Sequence, residues 1–225
     1  MKYMRFALLL AVMLCCTDTH QARAQRNDDG EFMHHNVELT GMVTTRDLLY
    51  IDFAYHYKVN AYVGVGGSLG VFTQYVDGPK PSGDGWRMDG GSCKETNVYL
   101  RPSVQFFTPM LLNTGGIEWR LYAEPGVMLF VPYRKAWVNY VDAHGHETGN
   151  CEKISVSAGQ WIAPDCKAGV MIRADRFNIA LGVCASSLDA YSSSRHLRFK
   201  SESLERFYPD RKVDWGFYAS IAYNF

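Results

Sequence analysis

Trp215-Gly216-Phe217-Tyr218-Ala219-Ser220-Ile221-Ala222-Tyr223-Asn224-Phe225 decides the reading of this chain. Side chains of a strand alternate faces with period two, so Trp215, Phe217, Ala219, Ile221, Tyr223 and Phe225 share one face. Gly216, Tyr218, Ser220, Ala222 and Asn224 share the other. An apolar stripe backed by small and polar residues fits a wall with hydrocarbon outside and a polar lumen inside, the pattern of a transmembrane β-barrel strand.

The N-terminus reads as an export signal. Lys2 and Arg5 precede an apolar run from Phe6 to Cys16, and Ala22-Arg23-Ala24 offers small residues at the spacing of a cleavage site. Residues 1–24 are therefore expected to be a signal peptide, with 25–33 a polar lead and 34–225 the barrel. Cys15 and Cys16 raise the alternative of an acylated cysteine, but Leu14 and Cys15 stand where small residues would precede it. The apolar run is shorter than the roughly 20 residues of a spanning helix, and no later segment supplies one. The chain of 225 residues holds 23 basic and 23 acidic side chains, and removal of the signal leaves a slight acidic excess. That balance gives no reason to expect nucleic acid. With 14% aromatics and 20 glycines the composition suits packed strands.

Outward from the terminal strand, seven further alternating segments emerge. Val37, Leu39, Gly41 and Val43 oppose Asn36, Glu38, Thr40 and Met42 in the first, and Leu49, Ile51, Phe53, Tyr55 and Tyr57 oppose Tyr50, Asp52, Ala54, His56 and Lys58 in the second. A third runs from Ala61 to about Tyr75, with inner glycines that leave room for large side chains across a narrow lumen. The fourth spans Glu95 to Phe107. The fifth is expected from Ile117 to Asn139, with bulges or bends at Pro125 and Pro132. The sixth ends near Ala174 and the seventh begins at Phe177. Placing Ala174 opposite Phe177 brings Ile172 to Ile179, Val170 to Leu181 and Ala168 to Val183. Residues 76–94, 142–151 and 192–212 read as polar loops. Eight strands with short turns near 59, 112 and 175, and connections near 45, 85, 145 and 202 on the other side, match the asymmetry of membrane barrels.

These features resemble the small outer-membrane β-barrels of Gram-negative bacteria, similar in plan to the OmpA/OmpX-type barrels and, in the Tyr223-Asn224-Phe225 ending, to those of Bacteroidetes. The resemblance implies an all-β, eight-stranded antiparallel up-and-down barrel in the outer membrane. It also implies recognition of Phe217, Ile221, Tyr223 and Phe225 by the barrel-assembly machinery. Outer-membrane lipid is then the surrounding partner, and a monomer is expected.

The inward set includes Glu38, Asp52, Arg101, Glu118, Arg120, Glu124, Lys167 and Arg173. An eight-stranded interior is just wide enough for side chains to fill, so these charges are expected to pair as a plug. Glu118 and Glu124, about 20 Å apart along one strand, are too far apart to share a proton. His144-Gly145-His146 beside Asp142 and Glu147 could hold a metal, but a solvated loop is the better reading, and neither metal nor cofactor is expected. No phosphate-binding glycine motif, spaced CxxC pair or assignable Ser/His/acid grouping occurs.

Cys93 and Cys151, at the ends of two loops, are a candidate disulfide in an oxidising compartment. Cys166 and Cys184 are a weaker one, since the hairpin register sets them on opposite faces. Arg195, Arg198 and Lys200 lie in a basic loop whose cations suit lipopolysaccharide phosphates, though an ordinary solvated loop is the favoured reading. The leading expectation is a non-enzymatic integral barrel whose loops make surface contacts with a partner the sequence does not name. The rivals are a barrel enzyme acting on lipid or surface substrates, and a secreted lipocalin-like barrel binding an apolar ligand.

Overall fold

The computed structural model describes residues 33–210 and 213–225; the expected signal peptide and nearly all of the polar lead lie outside them. In chain order the strands are β1 (His35–Thr44), β2 (Leu48–Lys58), β3 (Val63–Gln74), β4 (Ser82–Gly83), β5 (Trp86–Met88), β6 (Thr96–Phe107), β7 (Leu112–Thr114) and β8 (Ile117–Phe130). They continue with β9 (Arg134–Val141), β10 (Glu147–Val156), β11 (Ile162–Ala174), β12 (Phe177–Ser186), β13 (Arg198–Phe199), β14 (Glu202–Ser203) and β15 (Asp214–Asn224). Eight of these, β1, β2, β3, β6, β8, β11, β12 and β15, pair antiparallel with their chain neighbours. The β8–β11 and β1–β15 ladders complete the ring, giving an all-β, up-and-down, closed eight-stranded barrel.

The register follows the side-chain pattern. In the β11–β12 hairpin Ala174 faces Phe177, Ile172 faces Ile179, Val170 faces Leu181 and Ala168 faces Val183, as the coincidence of apolar faces requires. Its turn is only Asp175-Arg176, with Asp175 at φ 52°, a left-handed conformation that Asp tolerates. Gly115 and Gly116, both at positive φ, close β7 onto β8, the two-residue turn that a twisted hairpin favours.

Apart from His35 at one edge, outward positions of the barrel strands are apolar or small. Phe217 is 72% exposed, Leu69 66% and Phe53 61%, and among the described residues no outward strand position carries Asp, Glu, Lys or Arg. Aromatic residues collect at both ends of this surface: Tyr55, Tyr57, Phe177, Tyr223 and Phe225 at the end bearing Met33 and Phe225, called the terminal end, and Tyr75, Tyr133, Trp161 and Trp215 at the other. From Trp215 to Phe225 the strand rises about 33 Å, or about 25 Å along the axis at the usual tilt.

Two expectations are corrected here. The single strand across 117–139 is two strands, because Val131-Pro132-Tyr133 leaves the barrel ladder before β9 begins. Pro125, by contrast, causes no bulge. The β6–β8 pairs keep one register past Pro102 and Pro125, from Tyr99 opposite Phe130 to Phe107 opposite Tyr122. The Thr108 amide donates to the Leu121 carbonyl at 3.0 Å while that of Phe107 donates to Tyr62 at 2.8 Å. Even-numbered β6 residues thus point towards β8, and the N–H groups missing from both prolines fall on that one ladder.

The polar loops at the end away from the termini are also corrected. Residues 76–94 contribute β4 and β5, residues 142–151 open β10, and 192–212 hold a helical turn (Ser192–Arg195) with β13 and β14. A four-stranded sheet in the order β10-β9-β5-β4 forms there. Its strands are short, but Trp86, Met88, Ala136, Val138, Ile154, Leu197, Phe199 and Leu204 bury one face together. The result is a folded cap with a core of its own.

Candidate functional site

Alternation sends Asn36, Glu38 and Thr40 of β1, Asp52, His56 and Lys58 of β2, and the even- or odd-numbered polar residues of the other strands into the lumen. At its centre Arg101 is fully buried between two acids. Its Nη1 donates to Glu124, Nε donates to Asp165 Oδ2 at 2.7 Å, and Nη2 donates to the Glu124 carbonyl at 3.0 Å. Gly126 faces the guanidinium, and a Cβ there would stand 2.8 Å from Cζ, so a side chain at this position would push the guanidinium from its place. Beside it Lys167 donates to Asp52 Oδ2 at 3.0 Å, and the Tyr99 hydroxyl donates to Oδ1 of the same carboxylate.

Towards the terminal end, Gln105 links Glu124 (2.9 Å) to Glu38 (3.3 Å), and Thr40 donates to Glu38 at 2.9 Å. Arg120 donates to Glu118 at 3.2 Å, and Lys58 donates to Asn224 at 2.5 Å. Arg173 is buried as well, its Nε donating to the Asp175 carbonyl at 3.1 Å. All eight charges singled out in the sequence thus lie inside, though not as one cluster: Glu118 and Arg120 pair apart from the Arg101 centre. The sequence reading left out Lys58, Asp165 and Asp214, whose parity along β2, β11 and β15 already pointed inward. With them the lumen holds Glu38, Asp52, Glu118, Glu124, Asp165 and Asp214 against Lys58, Arg101, Arg120, Lys167 and Arg173, and Arg46 between β1 and β2 adds a sixth cation 3.9 Å from Asp214. Balance matters because an uncompensated buried charge costs several kcal/mol.

On the cap side, Tyr50, Phe72, Tyr99 and Phe130 form a ring cluster with centroids 5.7 to 6.2 Å apart. Met42, Leu48 and Met128 pack with them. A cavity between Glu38, Gln105, Tyr122 and Ser220 measures about 10 Å³, room for about one water. Liposomes carrying the pure protein are accordingly expected to show no swelling in a disaccharide; rapid uptake would refute the plug.

The lumen contains one serine–histidine contact, His56 Nε2 to Ser103 Oγ at 2.9 Å, with Glu124 3.9 Å from the same nitrogen. A triad needs the acid on the opposite nitrogen, and His56 Nδ1 has no protein partner among the described residues. His56 is also fully buried, so this grouping offers no hydrolytic site.

The cap is tied to the barrel rim through Arg134. Its Nη1 donates to the Lys94 carbonyl at 2.8 Å, Nη2 donates to that of Ser92, and Nε lies 3.4 Å from Glu95 Oε2. Ser194 of the third segment donates to the same Glu95 carboxylate. Burial pushes the Glu95 carboxyl above its ordinary range, while Arg134 and the Ser194 hydroxyl pull it back. Gln74 at the top of β3 donates to Tyr191 at 2.7 Å, and Trp86 packs on Phe199 at 5.2 Å. Leu204→Ala in this core is expected to cost about 2 kcal/mol, seen as faster proteolysis of the cap with unchanged heat-modifiable migration of the barrel. Loss of both together would show that they unfold as one unit.

The remaining candidates separate. Phe217, Ile221, Tyr223 and Phe225 share the outward face of the terminal strand and its end. Neither disulfide forms: Cys93 is buried in the cap core, Cys151 is exposed on β10, and all four described cysteines are free. Cys166 and Cys184 point to opposite faces, with Cys184 opposite Lys167 and Cys166 opposite Ala185. Arg195 is held by Asp189 and by the Pro209 carbonyl at 2.9 Å, and Lys200 lies over the Tyr140 ring at 4.8 Å. Asp142 accepts from the His144 and His146 amides at 2.9 Å, which orders a turn.

Eight strands, antiparallel and up-and-down, close on a filled lumen and expose an uncharged wall. The plan is that of the small outer-membrane β-barrels. No protein-family model and no curated protein matches the chain. Among solved structures it is similar to the N-terminal β-barrel domain of Pseudomonas aeruginosa OprF, at 11% identity over 85% of this chain and 96% of that one, with a TM-score of 0.39. Neisserial surface protein A gives 8% identity, 86% and 96% coverage and a TM-score of 0.40. A major outer membrane protein from Thermus thermophilus gives 13% identity, 87% and 100% coverage and a TM-score of 0.43. At these scores the likeness carries no argument, and the fold stands on the strand ladders themselves.

Proposed function

We propose that this chain is an integral outer-membrane barrel, exported by a cleaved signal peptide, which acts as a closed, non-enzymatic scaffold and presents its cap at the cell surface. The carrying observation is the uncharged outward wall, about 25 Å tall and edged by aromatic residues at both ends. The filled lumen supports a scaffold in preference to a channel. A lipocalin-like soluble barrel would reverse the pattern, keeping apolar residues inside and charges outside. Fractionation tests the reading: the protein is expected in the outer membrane, with heat-modifiable migration in detergent gels, and recovery from the soluble periplasm would reject it.

The terminal strand supports a dependence on the barrel-assembly machinery. Deleting Phe225 removes the apolar end of the strand that must pair with β1, and should lower the amount of assembled barrel. Normal assembly of the truncated chain would withdraw that role.

A further inference from the structure

Between Leu129 and Val138 the chain leaves the barrel ladder, passes Pro132 and enters β9, yet exposure alternates without a slip. Leu129, Val131, Tyr133, Lys135 and Trp137 are exposed, while Phe130, Pro132, Arg134, Ala136 and Val138 are buried. One outward face therefore continues from the apolar wall into the cap. Along it the chemistry changes in order, from Leu129 and Val131 to the aromatic Tyr133, then to the cationic Lys135, then to Trp137.

The β9–β10 register adds a second cation to this face. Lys153 stands opposite Trp137, and Ser155 stands opposite Lys135. Opposed residues of an antiparallel pair share a face, so Lys135, Trp137 and Lys153 lie together, with the Lys135 ammonium 5.5 Å from the Trp137 ring. Glu152 opposes Val138 and so falls on the other face, where it accepts from Tyr140 at 2.7 Å. No carboxylate among the described residues pairs with Lys135 or Lys153. The neighbouring exposed cations differ: Arg87 is paired with Glu147 at 2.8 Å, and Arg206 with Glu202 at 2.5 Å.

From this continuity we infer that Lys135 and Lys153 form a shelf that binds the phosphate groups of outer-leaflet lipid. The inference rests on the membrane reading above, and it assigns the lipid contact to the β9–β10 hairpin instead of the loop of Arg195, Arg198 and Lys200. The reason is position. Tyr133 lies at the aromatic edge, and Lys135 is about 7 Å further along the strand, the level at which headgroups begin. A cation there reaches a phosphate without entering hydrocarbon. Of the loop cations, Arg195 is already held by Asp189 within the cap, while Lys200 lies over the Tyr140 ring and Arg198 is exposed with no carboxylate partner among the described residues, so these two make the control.

The full chain, purified in detergent, would be loaded separately with diphosphorylated lipid A and with lipid A stripped of both phosphates. Lipid retained per barrel after washing would be read by mass spectrometry. Lys135→Gln combined with Lys153→Gln is expected to weaken retention of the phosphorylated lipid about 30-fold, about fivefold per lysine, and to leave the stripped lipid unchanged. Arg198→Gln combined with Lys200→Gln should retain both lipids as the parent does. Undiminished retention by the hairpin variant overturns the shelf, as does equal loss of both lipids from a variant whose migration is still heat-modifiable. A larger loss in the Arg198 and Lys200 variant returns the contact to that loop. Each of these results leaves the membrane reading standing, which only recovery of the parent chain in soluble form would remove.

Discussion

Arg101→Ala is expected to lower the stability of the folded barrel by about 3–5 kcal/mol, the cost of breaking a buried ion pair by removing one partner. The substitution strands two carboxylates at once, because Glu124 and Asp165 both accept from this guanidinium and both are buried. Lys167, which already serves Asp52, cannot replace it at both sites. The measurement is the urea midpoint of the refolded protein in detergent, followed by heat-modifiable migration. A control separates charge from bulk: Arg101→Ala with Glu124→Gln and Asp165→Asn removes the stranded charges and should recover part of the loss. A single variant as stable as the parent would mean that the lumen charges do not hold one another.

Leu181→Arg is expected to cost about 3 kcal/mol in a bilayer. Leu181 sits midway along β12 on the outward face, opposite Val170 on one side and Ala219 on the other. A guanidinium placed there meets hydrocarbon near the midplane, where arginine on barrel walls costs most. Refolding into lipid vesicles, titrated with denaturant, gives the value directly. The inward neighbour Ala180 is only one residue away, yet the hazard there is of another kind, since an added side chain would collide with a filled lumen. If Leu181→Arg folded into vesicles as well as the parent, the wall would not be facing lipid, and the placement of the whole barrel would fail with it.

The wall was legible because two-residue periodicity survives in every barrel strand, and because apolar faces must coincide across a hairpin. That logic yielded the β11–β12 pairing residue by residue. The cap was not legible for the same physical reason. Its core gathers Trp86, Val138, Leu197 and Leu204 from three separate segments, and strands as short as β4 and β13 are too brief to show a period. The uninterrupted alternation from Leu129 to Val138 made one strand out of two, since Pro132 breaks the ladder without disturbing the phase. The Cys93–Cys151 pairing failed because loop ends that look adjacent in a flat diagram diverge once the loops fold: one thiol enters the cap core and the other stays on its surface. Within the lumen, sequence parity gave the faces, but only distances could divide the charges into partners.

The ladder between β1 and β15 joins the first and last strands of the barrel. Asn36 donates to Asn224, 188 positions away, at 3.1 Å, and His35 exchanges backbone bonds with Phe225 at 3.0 and 2.9 Å. Such distant pairing is the slowest kind to find, since loop closure must precede any reward. β1 is the first barrel strand in chain order and its mate is the last. Until β15 pairs with β1, the two margins of any partly formed sheet carry unsatisfied amides and carbonyls beside an apolar surface, a condition that invites pairing with the wrong chain. The folding protein is therefore most vulnerable to aggregation just before its ring closes, and a factor that occupied one of those two margins would protect it there.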